Sequence, residues 1–196
     1  MQWGTRMGVL LLAGSMLGGC MPTMYIDPAL PPASRADVGP AAAPQAVQFL
    51  YEFQTRGSPN ARATDLTRER ALGAVKESGL FSVVSGEPQA NGRRLTVVIN
   101  NFPVTNDAAS KGFGVGLTFG LVGTTVIDGY ETRATFSSPG AVPLALEYKH
   151  AIHSTLGNTT PPPGLKPEAN VRDAINKLID QLIWSVLRDV SRKGQP

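Results

Sequence analysis

Cys20 is the only cysteine in this chain of 196 residues, so no disulfide can form within it. The fold must therefore be stabilised by a packed core, for which the apolar content of 42% is adequate. The cysteine follows Arg6 and a short apolar stretch over residues 8–17. That stretch is shorter than the roughly 20 residues that a membrane-spanning helix needs, and it is typical of a secretory signal. The sequence therefore predicts export and removal of the first residues.

The four residues Leu17-Gly18-Gly19-Cys20 resemble the lipobox of bacterial lipoproteins. The resemblance implies that the Cys20 thiol receives a diacylglycerol, that a peptidase cleaves before it, and that the new amino group is acylated. Several acyl chains make a lasting membrane anchor. In that family an aspartate after the cysteine favours retention in the inner membrane, and this chain has Met21 there. We expect a protein anchored in the cell outer membrane with its domain in the periplasm; the alternative is an ordinary signal peptide that leaves a free thiol.

Charge is sparse and balanced. The chain has 18 basic and 15 acidic residues and a formal net charge of +3, with no clustered basic stretch. Binding to nucleic acid requires clustered positive charge, so it is not predicted. No cofactor is expected.

Composition divides the chain into four parts: a signal peptide over residues 1–19, a tether over residues 20–44, one domain over residues 45–192, and a tail over residues 193–196. The tether carries the lipidated cysteine and is rich in proline and alanine. A proline-rich chain extends by about 3.1 Å per residue, so this segment could hold the domain up to roughly 75 Å from the membrane. The alternative is that part of it packs on the domain.

Hydrophobic periodicity within the domain predicts an α+β fold in the order β-α-β-β-β-β-α. A helix is expected over residues 64–78, capped by Thr64 or Asp65 and ended by Gly79. A second helix is expected over residues 168–192, with Pro167 in its first turn and a core stripe at helical spacing. The two helices would cover a mostly antiparallel sheet of four to five strands. The predicted strands lie at residues 46–54, 80–85, 93–100, 124–136 and 144–154, and the core stripe is Val171, Ile175, Leu178, Leu182 and Val186.

Three stretches of the domain carry a resemblance to known envelope proteins: SGLFSVV after the first helix, RRLTVVIN, and the closing amphipathic helix. Together they resemble the α/β module of small envelope lipoproteins such as the synthase activator LpoB, the curli secretion lipoprotein and the TolB amino-terminal domain. The resemblance covers roughly residues 45 to 190. No residue of this chain matches a partner-binding motif of those proteins one by one.

A glycine-rich segment over residues 111–125 precedes the fourth predicted strand. Gly112, Gly116 and Gly120 are spaced by four, so a helix here would carry a bare stripe. Such stripes allow close helix packing in membranes. With Phe113 and Phe119, these glycines are candidate contacts with a membrane or with a second copy of the chain. A glycine-rich β-hairpin and a buried connector remain as alternatives; a phosphate-binding loop is disfavoured because the glycine spacing does not match.

Trp184 falls outside the predicted core stripe, among charged residues, and is a candidate contact for a protein partner. The alternative is that it covers the edge of the sheet or packs on the tether. His150 and His153 lie three apart in a predicted strand and point to opposite faces, so they cannot bind one metal ion together. No catalytic or metal-binding residues are predicted.

We therefore expect a non-enzymatic envelope lipoprotein that binds another envelope protein. The alternative is a self-assembling or membrane-inserting component that uses residues 111–125. A hydrolase acting on envelope material has only the location in its favour.

Overall fold

The computed structural model describes residues 22–104, 125–155 and 165–193. The fold is α+β, as predicted: the described residues form a seven-stranded sheet and two α-helices. The strands are β1 (Thr23–Ile26), β2 (Gln45–Thr55), β3 (Ser58–Pro59), β4 (Phe81–Ser85), β5 (Arg94–Pro103), β6 (Thr125–Ser137) and β7 (Leu144–Thr155). The helices are α1 (Ala61–Glu77) and α2 (Val171–Lys193), and a single 3-10 turn spans Arg35–Asp37.

The sheet is mixed, with the order β1-β7-β6-β5-β2-β3, and β4 also pairs with β2. The pairs β1–β7, β6–β7, β5–β6 and β2–β3 are antiparallel. α1 carries the chain back along the sheet between β3 and β4, so β4 runs parallel to β2. β5 runs in the same direction and pairs with the other edge of β2. Five of the seven strands correspond to the predicted ones, whereas β1 and β3 were not predicted.

Both helices pack on one face of the sheet, and the core lies between these two layers. The largest fully buried side chains come from α2, from the helix-facing positions of the strands, and from the residue just before β4: Leu80, Leu95, Ile99, Ile152, Leu178, Ile179, Leu182, Ile183 and Leu187. The predicted core stripe of α2 is correct at Leu178, Leu182 and Val186. It is wrong at Val171, which is 51% exposed, whereas Ile175 is partly buried and packs against the core.

The helix ends differ in detail from the predictions. Asn60, rather than Thr64 or Asp65, caps α1: its side chain accepts a hydrogen bond from the Ala63 amide at 3.0 Å. Thr64 lies inside the helix, where its hydroxyl accepts a hydrogen bond from the Phe53 amide. Gly79 follows α1 with a φ of 71°, the left-handed conformation expected of a residue that ends a helix. α2 begins after Asn170, whose side chain accepts from the Asp173 amide, and not at Pro167.

The segment predicted as a tether is largely packed on the domain. Residues 23–26 form the edge strand β1, paired with residues 152–155 of β7. Ala33 and Val38 are buried in the core, and the Arg35 side chain donates to the Glu77 carbonyl at the end of α1. The prediction of a 24-residue spacer is therefore wrong for these residues, and the alternative of packing on the domain is confirmed.

The face of the sheet opposite the helices is not covered by any described element over most of its area. We call it the open face. Strand alternation and register place on it Leu50 and Glu52 of β2, Thr96 and Val98 of β5, Glu131 and Arg133 of β6, and Glu147 and Lys149 of β7. Antiparallel sheets commonly leave one face to solvent, and the mixture of polar and apolar side chains here is typical of that.

Candidate functional site

The ends of four strands meet at one end of the sheet: the start of β1, the end of β5, the start of β6 and the end of β7. The first residue of β1, Thr23, pairs with the last residue of β7, Thr155, which also pairs with the first residue of β6, Thr125. Just beyond β5, the Val104 amide donates to the Ile127 carbonyl at 2.9 Å. We call this the β1 end of the sheet. Cys20 lies only three residues before Thr23 in the sequence, so this end is the one nearest to the predicted lipid.

β1 is held on both of its edges. On one edge it pairs with β7, and the ladder continues as the Asp27 amide donates to the Ala151 carbonyl at 3.0 Å. On the other edge the Glu168 amide donates to the Met24 carbonyl at 2.8 Å. Glu168 also forms an ion pair with Lys177 in the first half of α2. A four-residue strand is thus fixed to the sheet and to the start of α2.

A buried carboxylate–imidazole pair secures the end of β1. The Asp27 Oδ2 and His153 Nε2 atoms are 2.7 Å apart, and both side chains are almost completely buried. Burial alone would raise the pKa of Asp27. The hydrogen bonds from His153 and from the Ala29 amide outweigh it, and hold that pKa below its ordinary value. The carboxylate is therefore ionised at neutral pH, and His153 donates the Nε2 hydrogen.

His150 lies on the opposite face of β7 from His153, as strand alternation predicted, and faces α2. Its Nε2 atom is 2.6 Å from the side-chain oxygen of Gln181. Burial lowers the pKa of His150, against the opposite influence of the Gln181 hydrogen bond. The Nδ1 atom is buried and has no hydrogen-bond partner among the described residues. Protonating this nitrogen would bury an unpaired N–H in a charged ring, which explains why the neutral form is favoured.

Two clefts lie between the outer sides of α1 and α2. Arg70 of α1 joins the helices through a two-point ion pair with Asp180 of α2, and it also donates to the Asn176 carbonyl. On one side of this ion pair is a cleft of about 430 Å³ lined in part by Gly73 and Trp184. On the other side is a groove of about 660 Å³, open towards the N-terminal ends of both helices.

The candidate residues from the sequence have different outcomes. Trp184 is only 9% exposed and belongs to the core, because α1 packs on the side of α2 that the helical wheel left facing solvent. Its role as a partner contact stays a prediction, which its burial does not support. The other candidates, Cys20, Gly112, Phe113, Gly116, Phe119 and Gly120, lie outside the described residues.

Sequence reasoning missed the residues that organise the β1 end: Asp27, Glu168 and Gln181. Asp27 and His153 are 126 positions apart. No local pattern connects them, and only a tertiary structure brings them together. Within residues 22–104, 125–155 and 165–193, no three His, Cys, Asp or Glu side chains come together as a group that could hold a metal ion. None of the described helices is long and apolar enough to cross a membrane.

No known family model matches the chain. No curated protein matches it in sequence. Solved structures of similar fold at low identity include the following three. A Helicobacter pylori protein named as a homolog of a neuraminyllactose-binding hemagglutinin has 11% identity and a TM-score of 0.45, over 79% of this chain and 87% of that one.

A PelC dodecamer from Paraburkholderia phytofirmans has 15% identity and a TM-score of 0.37, over 77% of this chain and 92% of that one. The rare lipoprotein B from Shewanella oneidensis has 10% identity and a TM-score of 0.32, over 76% of this chain and 93% of that one. Identities this low do not transfer a binding function.

We expect the Asp27–His153 pair to control the release of β1 from the edge of the sheet. In Asp27→Ala the imidazole loses the buried carboxylate that accepts its Nε2 hydrogen, and a hydrogen bond to a charged group typically contributes about 1.5–3 kcal/mol. We expect amide hydrogen exchange in residues 23–26 to accelerate strongly, while the amides of β5 keep their protection. Asp37→Ala is the matched control, because Asp37 is an exposed acid on the same N-terminal segment. Unchanged exchange in β1 of Asp27→Ala would contradict this role of the pair.

The burial of His150 predicts a pH dependence of stability. Below the ordinary histidine pKa of about 6.5 the unfolded chain takes up a proton at His150 that the folded domain resists, so stability falls with pH. Asp27 affects stability at lower pH. Because its pKa is depressed in the folded domain, its contribution to stability is lost only as the pH falls below about 4. In His150→Gln we expect the melting temperature to change less between about pH 7 and about pH 5. Lys149→Gln, a substitution at the neighbouring position on the open face, is the control and should keep the parent's slope; equal slopes in His150→Gln and the parent would refute the assignment.

Proposed function

We propose that the mature protein is an outer-membrane lipoprotein anchored through lipid on Cys20, and that its α+β domain binds another envelope protein. The proposed role is a binding role and not an enzymatic one. The lipobox-like residues Leu17-Gly18-Gly19-Cys20 support the anchor. The attachment of β1 to the sheet supports a restricted orientation of the domain at the membrane.

The observation that carries the proposal is the position of β1. Thr23 is three residues after Cys20, and extended chain spans at most about 3.6 Å per residue, so a lipidated Cys20 can lie no more than roughly 11 Å from the sheet. Because β1 is fixed by β7, by Glu168 and by the Asp27–His153 pair, the anchor is attached to a rigid part of the domain. The domain is therefore held at the membrane surface in a restricted orientation.

A restricted orientation suits a module that presents a surface to a partner at a set height. The open face is the surface that we assign to this partner. It combines apolar side chains, such as Leu50 and Val98, with charged side chains of both signs, such as Arg133 and Glu147. A mixture of this kind is typical of the surfaces of transient protein complexes.

Lipidation is tested directly on the protein purified from the membrane of the producing cell. We expect the N-terminal peptide to begin at Cys20 and to carry the mass of a diacylglycerol and an amide-linked acyl chain. Cys20→Ala should lose both modifications and leave the outer-membrane fraction. A mature protein that starts elsewhere, or an unmodified Cys20 thiol, would contradict the anchor.

The binding role is tested by photo-crosslinking in cells. A photoreactive amino acid replaces Leu50 on the open face, and the control replaces Val142, which is 92% exposed in the connection between β6 and β7. We expect a discrete crosslinked protein from position 50 and none from position 142. A pattern shared by both positions would argue against a partner on the open face.

A self-assembling or membrane-contacting role for residues 111–125 is the second candidate. It is favoured by the positions of the flanking residues, since Val104 and Thr125 both lie at the β1 end of the sheet, beside the strand that follows Cys20. Gly116→Leu would fill the predicted glycine stripe. Under this candidate it lowers the mass of an oligomer or the binding of the unlipidated chain to liposomes, measured by light scattering and flotation. Gly39→Leu is the control, because a side chain at Gly39 meets nothing within 4 Å; equal behaviour of the two variants would exclude the candidate.

A further inference from the structure

The groove at the N-terminal ends of α1 and α2 is lined by apolar side chains that solvent reaches. Leu66 of α1 is 74% exposed and Val171 of α2 is 51% exposed, and Ile175 lies partly buried between the helices. A soluble domain seldom leaves large apolar side chains of two neighbouring helices in water side by side. We call this the helix groove.

The helix groove lies next to the strand that follows the predicted lipid anchor. Val171 comes three residues after Glu168, and the Glu168 amide donates to the Met24 carbonyl. Met24 in turn is four residues after Cys20, a span of at most roughly 14 Å of extended chain. A bilayer that holds lipid on Cys20 therefore lies within reach of Val171.

A third exposed apolar side chain lies at the same end. Val126 of β6 is 49% exposed and pairs with Ser154, which also pairs with Met24. Strand alternation places Val126 on the face of the sheet that the helices cover. Leu66, Val126 and Val171 are three of the six large apolar residues exposed in the described parts of the chain. Three of these six residues thus lie at the end of the domain where β1 begins.

The charges around the groove fit a lipid headgroup region. Exposed Arg62, Lys166 and Arg172 lie at or just before the first turns of the two helices and can reach lipid phosphates while their stems cover apolar surface. Asp65, Glu69 and Asp173, also exposed, balance them. With so little net charge, the contact would depend on burial of apolar side chains more than on attraction to anionic lipid.

We propose that the helix groove is a membrane-docking surface, and that its occupant is the headgroup region of the same bilayer that holds Cys20. This inference rests on the proposed lipid anchor. Leu66, Val126 and Val171 enter the interface, and the short connection from Cys20 to β1 keeps them there. The open face then lies roughly parallel to the membrane normal and not against the lipid, so a protein partner can reach it.

The test uses the full mature protein, lipidated in cells and reconstituted in vesicles of phosphatidylethanolamine and phosphatidylglycerol. Leu66→Cys and Val171→Cys are labelled with a polarity-sensitive fluorophore, since acylated Cys20 offers no free thiol. Val142→Cys is the control, in the β6–β7 connection at the opposite end of the sheet. All three positions are more than a third exposed, so the labels leave the core intact.

We expect blue-shifted emission and slow quenching by an aqueous quencher at positions 66 and 171, with neither effect at position 142. Quenching at 66 and 171 as fast as at 142 would overturn the inference, and so would a blue shift that needs added envelope protein. The mass of the same sample separates this from the anchor. Acylated Cys20 with water-exposed labels refutes membrane docking alone, whereas an unmodified Cys20 refutes the proposed function and docking together.

Discussion

The attachment of β1 to β7 is the constraint on which the arrangement of the domain depends. A four-residue edge strand is weak by itself, since few hydrogen bonds hold it against the entropy of a free chain end. Here Asp27 follows the strand and inserts a carboxylate into a site where His153 and the Ala29 amide donate to it. Withdrawing β1 would leave an imidazole buried without this partner. The buried pair therefore converts a marginal strand into a fixed one.

Because of this attachment, the two ends of the sheet carry different features. At the β1 end lie the strand nearest to Cys20, the described residues Val104 and Thr125 on either side of the stretch that contains the glycine-rich segment, and the first turns of α1 and α2. At the other end lie the β6–β7 connection with exposed Val142 and the end of α1 at Gly79. The two helices cover one face of the sheet, and no other described element covers most of the opposite face. A lipid on Cys20 would thus orient three distinct surfaces: an end towards the membrane, an open face to the side, and an end directed away.

Much of this architecture could be predicted from the sequence, because it depends on local periodicity. The alternation of β2, β5, β6 and β7 and the amphipathic character of α2 each result from burial on one side of a regular element. β1 could not be predicted in this way. Its four residues lie between prolines, and they are ordered by contacts with residues 152–155 and Glu168, far along the chain. The exposure of Val171 and the burial of Trp184 have the same origin, since the position of α1 decides which side of α2 faces water.

The candidate site was less predictable than the fold. The lipobox is a local motif and could be found by inspection, but the docking of the residues that follow it could not. Composition favoured a long spacer over residues 20–44, and packing of Ala33, Val38 and Arg35 on the domain replaces it. This difference matters for the proposed function. A free spacer would let the domain rotate relative to its anchor, whereas the attachment of β1 to the sheet restricts that rotation.

If lipid on Cys20 anchors the protein, the domain stands directly on the membrane that holds this lipid. Neutron reflectometry of the lipidated protein on a supported bilayer measures the water layer between headgroups and protein. Protein density is expected to begin within roughly 11 Å of the headgroups, the reach of extended chain from Cys20 to Thr23. A water layer several times thicker, approaching the roughly 75 Å that a free 24-residue proline-rich spacer allows, would contradict it.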